Sequence, residues 1–206
     1  MLIIGLTGSI GMGKSTAAAH LRASGIGVLD ADAVVHALYR GKAVPLVEAA
    51  FPGTTRDGEI DRARLLAAIT ASSGGFKRLE AIVHPLVRAE ERDFLTAEHA
   101  RGAAMAVLEI PLLFETGGDA LVDVTVVVSA PAEVQRERVL MRPGMTAAKL
   151  AEILSRQMPD AEKRRRADYV VDTSGTIPET EAQIDSLLAV LRGRAGAAYH
   201  RCWAGA

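Results

Sequence analysis

Eight residues near the start of the chain, Gly8-Ser9-Ile10-Gly11-Met12-Gly13-Lys14-Ser15, match G-x-x-x-x-G-K-[ST] at every fixed position. Their types divide the work of holding a phosphate. The glycines let the backbone turn its N–H groups inward around an anion. A helix beginning near Lys14 would aim its positive end and unpaired N–H groups at the same charge. The Lys14 ammonium can reach the β- and γ-phosphates, the Ser15 hydroxyl can coordinate Mg²⁺, and Thr16 is the candidate for the α-phosphate. Together they imply a nucleoside triphosphate with Mg²⁺. They do not choose the acceptor, because hydrolysis, switching and transfer to a small molecule all share such a loop.

Other residues bear on that choice. Asp30 and Asp32 stand two apart at the end of a short apolar run, so in extended chain both point the same way. Either carboxylate could position or take the proton of an attacking hydroxyl, or hold the metal through water; one of them, Asp30 more than Asp32, could instead cap the helix that begins near Ala33. Glu109 closes another apolar run and reads as a holder of metal-bound water or as a solvated strand end. His84 precedes Pro85, which is expected to interrupt its helix, and reads as an acceptor contact or a partly buried structural histidine. Pro111-Leu112-Leu113-Phe114-Glu115 could cover a ligand or be plain core. Arg138 and Arg142 are four apart and so share a helical face beside Pro143-Gly144, an arrangement suited to a lid that neutralises phosphate charge or to a solvated basic face. The run Lys163 to Arg166 reads as a solvated face, because Asp160, Glu162 and Asp168 flank it. Asp172-Thr173-Ser174-Gly175 matches the D-x-x-G of GTPases, but no guanine-reading Asn-Lys-x-Asp follows, and the match is read as coincidence.

The elements that must position these residues follow from pattern. Leu2 to Thr7 is a continuous apolar run, the signature of a strand buried on both faces. Ile26 to Leu29, Ala104 to Ile110, Val122 to Ser129 and Tyr169 to Val171 are further strands, and helical segments separate them. Strands alternating with helices give an α/β fold with a parallel sheet. Residues 33–101 are mostly of helical period, too long for a simple crossover, and predict an inserted subdomain. Helices are expected from Ala132 to Met141, Ala147 to Gln157 and Pro178 to Leu191, and the Gly/Ala-rich tail over 193–206 is expected to be loosely held or disordered.

Composition excludes several alternatives. The 24 Lys and Arg against 25 Asp and Glu leave a net charge of -1, without the basic footprint of a general nucleic-acid binder. Aromatics at 4% argue against a base-stacking surface. No run approaches the roughly 20 apolar residues of a membrane span, and no signal peptide is evident. The single cysteine, Cys202, excludes a disulfide framework and favours the cytoplasm.

From Leu2 to Leu191 the combination resembles one family, dephospho-CoA kinase. The resemblance rests on Leu6 to Thr16, then Asp30-Ala31-Asp32, then Asp57-Gly58 with Arg62 and Leu65. His84-Pro85, Pro111 to Glu115, Gln135 with Arg138 and Arg142, Gln157, and Ala167-Asp168 follow in order. It implies a P-loop NTPase-type three-layer sandwich around a five-stranded parallel sheet, a helical substrate-binding insertion over 33–101 and a mobile lid over 138–165. It implies transfer of the ATP γ-phosphate to the ribose 3′-hydroxyl of dephospho-CoA, with no obligate protein partner. Carried onto this chain, it gives ATP to Gly8 and Gly11 to Thr16, Mg²⁺ to Ser15, orientation or deprotonation of the hydroxyl to Asp32, and the acceptor to His84, Leu112 and Glu115. Arg138 and Arg142 become the lid arginines, joining Lys14 in catalysis. One departure is Thr173, where the family often has Asn, expected to alter a contact near the nucleotide base. A nucleoside monophosphate kinase and a nucleotide-dependent switch are the competing readings.

Overall fold

A computed structural model of the chain describes residues 1–205. It divides into two compact units, Met1–Leu29 with Leu95–Ala206, and Asp30–Phe94.

The first unit is built on a five-stranded parallel sheet of order β2-β5-β1-β6-β7. Its strands are β1 (Leu2–Thr7), β2 (Gly27–Asp30), β5 (Met105–Glu109), β6 (Val124–Ser129) and β7 (Tyr169–Asp172). β1 lies at the centre, pairing Leu6 with Glu109 on one side and with Val126 on the other. All six of its residues are buried, which is why its sequence runs apolar without alternation. Leu2, Ile4 and Leu6 face one way, against Ala17, Ala18 and Leu21 of α1 (Lys14–Ala23) and Ile184 and Leu188 of α9 (Ile177–Leu191). Each large apolar side chain in this layer contributes about 1.5–3 kcal/mol by leaving water. Gly5 faces the other way, where a Cβ would fall 2.8 Å from the Leu113 side chain. The missing side chain thus lets the segment after β5 lie close against the central strand. Strands placed earlier in the chain lie to one side of β1 and later ones to the other. The crossovers therefore reverse at β1, the place where an open α/β sheet leaves a crevice at its carboxyl edge.

Three more helices of this unit are α6 (Ala132–Leu140), α7 (Ala147–Ser155) and α8 (Asp160–Arg166). The tail over 193–206 was expected to be loose; residue 206 lies outside the described residues, and the segment from Ala197 to Trp203 packs. A π-helical turn, Tyr199–Trp203, buries Tyr199 and Trp203, and the Trp203 indole donates to the Leu121 carbonyl at 2.8 Å. Tyr199 also stacks on His99, with ring centroids 4.2 Å apart. Asp123 ties the tail to the first strand. One oxygen accepts the Ile3 amide at 2.9 Å, and the other accepts those of Ala197 and Ala198, each at 2.7 Å. Composition misleads here because two aromatic anchors and one carboxylate outweigh the many small residues around them.

The second unit holds α2 (Ala31–Leu38), α3 (Val44–Ala50), α4 (Arg62–Ala71) and the first part of α5 (Gly75–Ala100) around Leu38, Val47, Phe51, Ile60, Leu65 and Ile69. It is mostly helical, as its period suggested, with one exception. Thr55–Arg56 (β3) and Glu59–Ile60 (β4) form an antiparallel hairpin, closed by Asp57 and Gly58 with φ of 52° and 81°. Asp-Gly is the two-residue turn that such dihedrals favour, so the signal was in the sequence. Glu48 organises the approach to the hairpin by accepting the amides of Gly53, Thr54 and Thr55 and the Thr55 hydroxyl. These bonds, that from the Thr55 hydroxyl foremost, hold its carboxyl below the usual range. Pro85 was expected to interrupt its helix and sits inside the continuous α5. One missing N–H is tolerated where the remaining turns are long and amphipathic.

Candidate active site

The chain leaves β1 at Thr7, turns through Gly8 to Gly13, and enters α1 at Lys14. Gly11 and Gly13 have φ of 78° and 80°, in the left-handed region that other residues take only with strain. A side chain at Gly11 would also fall 2.5 Å from Val139. Gly13 is the N-cap of α1 and no side chain caps that end, so the first-turn N–H groups remain directed along the helix axis.

The turn is held from outside. The Gln135 amide donates to the Ile10 carbonyl at 2.7 Å, and the Ile10 N–H donates to the Gln157 side chain at 3.3 Å. The Thr173 hydroxyl donates to the Met12 carbonyl at 3.0 Å. In a trans peptide the carbonyl and the following N–H point opposite ways. Fastening the oxygens of Ile10 and Met12 outward therefore aims the N–H groups of Gly11 and Gly13 the other way. Met12 itself is buried, its sulfur accepting the Ala130 amide at 3.1 Å, so only its main chain is available to a ligand. Gly8 is buried at the end of β1, Ser15 is exposed in the first turn of α1, and Thr16 beside it is half-buried.

Lys14 Nζ donates to Glu109 Oε1 at 2.8 Å, and Glu109 Oε2 receives a longer contact from Arg22 at 3.5 Å. The Leu6–Glu109 register of β1 and β5 brings these groups together, since Glu109 ends the neighbouring strand beside the start of the loop. Sequence reasoning left Glu109 between two roles; the structure buries it, with 3% of its side chain exposed.

Arg138 on α6 donates to the Thr173 carbonyl at 2.6 Å, which places it beside the same loop. Arg142 lies just beyond the end of α6 and is exposed. Asp172, next to Thr173, accepts the Ser174 amide at 2.8 Å. That bond first, then the Ser174 side chain, holds its carboxyl below the ordinary aspartate value.

The segment after β5 splits its five residues. Leu113 and Phe114 are core, while Leu112 is 38% exposed. Glu115 Oε1 accepts the Met158 amide at 2.7 Å and faces the Lys163 ammonium at 2.9 Å. Lys163 also donates to the Pro111 carbonyl at 3.0 Å. The reading of Lys163 as part of a solvated basic face was wrong: it is wholly buried, while Arg164, Arg165 and Arg166 are exposed. A charge run says nothing about which of its members faces inward, and a paired interior lysine looks in sequence like its neighbours.

Asp32 and His84 belong to the second unit. Asp30 takes the capping role, accepting the amides of Asp32 and Ala33 at 2.9 and 3.1 Å. Asp32 is exposed in the first turn of α2, and His84 is exposed on α5. Gln135, Gln157 and Thr173 support the loop from positions well over a hundred residues away, where no local spacing signals the connection.

Among the described residues no cluster of three or more His, Cys, Asp or Glu could cage a metal, and no helix is long and apolar enough to cross a membrane.

A family model described as Dephospho-CoA kinase matches residues 2–179. A dephospho-CoA kinase of Mesorhizobium japonicum is 56% identical over 196 residues, covering 95% of this chain and all of that one. Among solved structures, the protein TT1252 of Thermus thermophilus is 39% identical with a TM-score of 0.80, covering 93% of this chain and 98% of its own. Dephospho-CoA kinase from Campylobacter jejuni, at 23% identity and a TM-score of 0.69 over 92% of this chain and 96% of its own, shares the fold.

Proposed function

The chain belongs to the dephospho-CoA kinase family, and we propose that the loop between β1 and α1 is where it holds ATP while the γ-phosphate passes to the ribose 3′-hydroxyl of dephospho-CoA. The observation that carries this reading is the loop itself. Two left-handed glycines, carbonyls fastened outward and an uncapped helix start present a set of N–H donors beside a half-buried lysine. Such a set suits the terminal phosphates of a nucleotide.

Phosphoryl transfer asks a protein mainly for alignment and charge neutralisation. Lys14 supplies a positive charge within reach of the β- and γ-phosphates, turning to them from Glu109. Arg138 and Arg142 add charge from the segment over 138–165, which acts as a lid that excludes water as a competing acceptor. The insertion over 33–101 receives dephospho-CoA, with His84 there and Leu112 and Glu115 after β5 as its contacts. Asp32 orients the 3′-hydroxyl and takes its proton; it stands two residues beyond the end of β2 in sequence, where the family resemblance puts that role.

The residues present suit Mg²⁺ bound in the usual way, by one or two protein oxygens with the phosphates and water completing its shell. Ser15 would hold it directly and Glu109 through water. Mg²⁺ bound there supplies charge neutralisation across the β- and γ-phosphates. The lone free thiol of Cys202 supports work in the reducing cytoplasm.

Incubation with ATP, Mg²⁺ and dephospho-CoA, followed by mass detection, should yield CoA and ADP in equal amounts. A panel of nucleoside monophosphates in place of dephospho-CoA should yield no phosphorylated product. Equal or faster transfer to a monophosphate, or ATP hydrolysis without transfer, would sink the reading.

A further inference from the structure

We propose that Thr173 is a positioning residue for nucleotide binding, its side-chain hydroxyl aiming the Gly13 N–H at the phosphates and its carbonyl holding Arg138. The inference rests on the reading of the loop as the ATP site. Thr173, where the family often has Asn, was expected to alter a contact near the nucleotide base. It is 3% exposed, directly behind the loop, and a Cβ on Gly13 would come within 3.1 Å of it.

Its polar groups are fully engaged. The Thr173 N–H donates to the Ser129 carbonyl at 2.8 Å, extending the β6–β7 pairing by one residue. The hydroxyl stands 3.0 Å from the Met12 carbonyl and 3.2 Å from that of Ser129. A hydroxyl has one proton. The Met12 carbonyl is the nearer of the two, and that proton is assigned to it. The Thr173 carbonyl accepts Arg138 Nη2 at 2.6 Å, while Nη1 makes a longer contact with the hydroxyl at 3.4 Å. One residue, fixed to the end of the sheet, thus sets both a loop peptide and a guanidinium.

Peptide geometry makes this functional as well as structural. While Met12 keeps its oxygen on Thr173, the Gly13 N–H points away from Thr173. Without the hydroxyl, the Met12–Gly13 peptide loses the side-chain contact that holds its carbonyl, and Gly13, free of a side chain, allows the peptide to turn from its fixed direction. ATP must then restore that direction on binding, at the expense of affinity. The acceptor does not depend on this peptide.

The test is steady-state kinetics of Thr173→Val and Thr173→Ala, which lack the hydroxyl, and Thr173→Ser, which keeps it, with both substrates varied and folding followed by thermal melting. The KM for ATP should rise about tenfold in the first two, on the scale of one buried acceptor left unmatched. The KM for dephospho-CoA should stay within about twofold, and Thr173→Ser should restore the ATP value. Unchanged ATP kinetics in Thr173→Val overturns the proposal. So does a parallel rise of both KM values that tracks a lowered melting temperature, the mark of a merely structural residue. Equilibrium dialysis of the unmodified protein with ATP separates the two readings: failure to retain ATP there removes the loop assignment on which the proposal rests.

Discussion

Lys14 and Glu109 form an ion pair of 2.8 Å with 15% and 3% of their side chains exposed, one from the first turn of α1 and the other from the end of the neighbouring strand. A pair so withdrawn from water keeps much of its attraction. It holds the lysine stem where the loop needs it and gives the carboxylate a second partner in Arg22. Lys14→Met should lower turnover by about 10²–10³-fold, the scale of losing one preorganised charge at a reacting phosphate. Glu109→Gln should instead raise the Mg²⁺ concentration for half-maximal activity about tenfold, as loss of an outer-sphere metal partner does. Mg²⁺ titrations of the three proteins check both, and a Lys14→Met protein with ordinary turnover would end the assignment.

Asp32→Asn should leave ATP binding nearly intact and lower turnover at least about 10²-fold, the range of general-base assistance. Single-turnover kinetics with pre-bound ATP isolates the chemical step. If ATP affinity collapsed while turnover stayed near normal, Asp32 would be serving the nucleotide and not the hydroxyl.

Trp203→Ala should cost about 3–5 kcal/mol, the usual range for emptying a buried aromatic site. For a domain of this size that lowers the melting temperature by roughly 6–20 °C. Because Trp203 is the only tryptophan, its fluorescence reports tail docking alone. An emission shift well before loss of far-ultraviolet circular dichroism would show the tail leaving first, and a variant melting with the unmodified protein would contradict the packing described.

Glu48 gives the second unit an acid-sensitive turn. Hydrogen bonds hold its folded carboxyl below the ordinary value, so the unfolded chain binds the proton more readily. The stabilisation is complete above about pH 4.3, where the unfolded glutamate is ionised, and is lost as pH falls through the lower folded value. Glu48→Gln should therefore unfold at lower urea than the parent at pH 7, and the gap should narrow on acidification towards pH 3. A gap that widens with acid would reverse the assignment.

Much of this molecule was legible in its sequence, and the reason differs by element. The loop from Gly8 to Ser15 declares itself because a left-handed turn, an uncapped helix and a lysine occupy consecutive positions. β1 and β6 declare themselves because strands buried on both faces can carry no polar alternation. The hairpin at Asp57-Gly58 was missed because four strand residues are swamped by helical period on either side. Thr173, Gln135 and Gln157 could not be ranked because their partners lie far along the chain, and only the folded sheet makes them neighbours. Lys163 misled for a related reason, since its carboxylate partner, Glu115, is 48 residues away in sequence.

The two oxygens of Asp123 give the sheet a timetable. Ile3 reaches one and Ala197 the other, so a strand near the beginning of the described chain is clasped to a segment made some 194 residues later. At ribosomal speeds of about 5–20 residues per second, roughly 10–40 s separate the emergence of the two. For the first 120 residues of that interval Asp123 itself is still to come and the nascent central strand has no clasp; for the remaining 74 it carries half, and the growing chain must keep it from other partners until the aromatic anchors arrive.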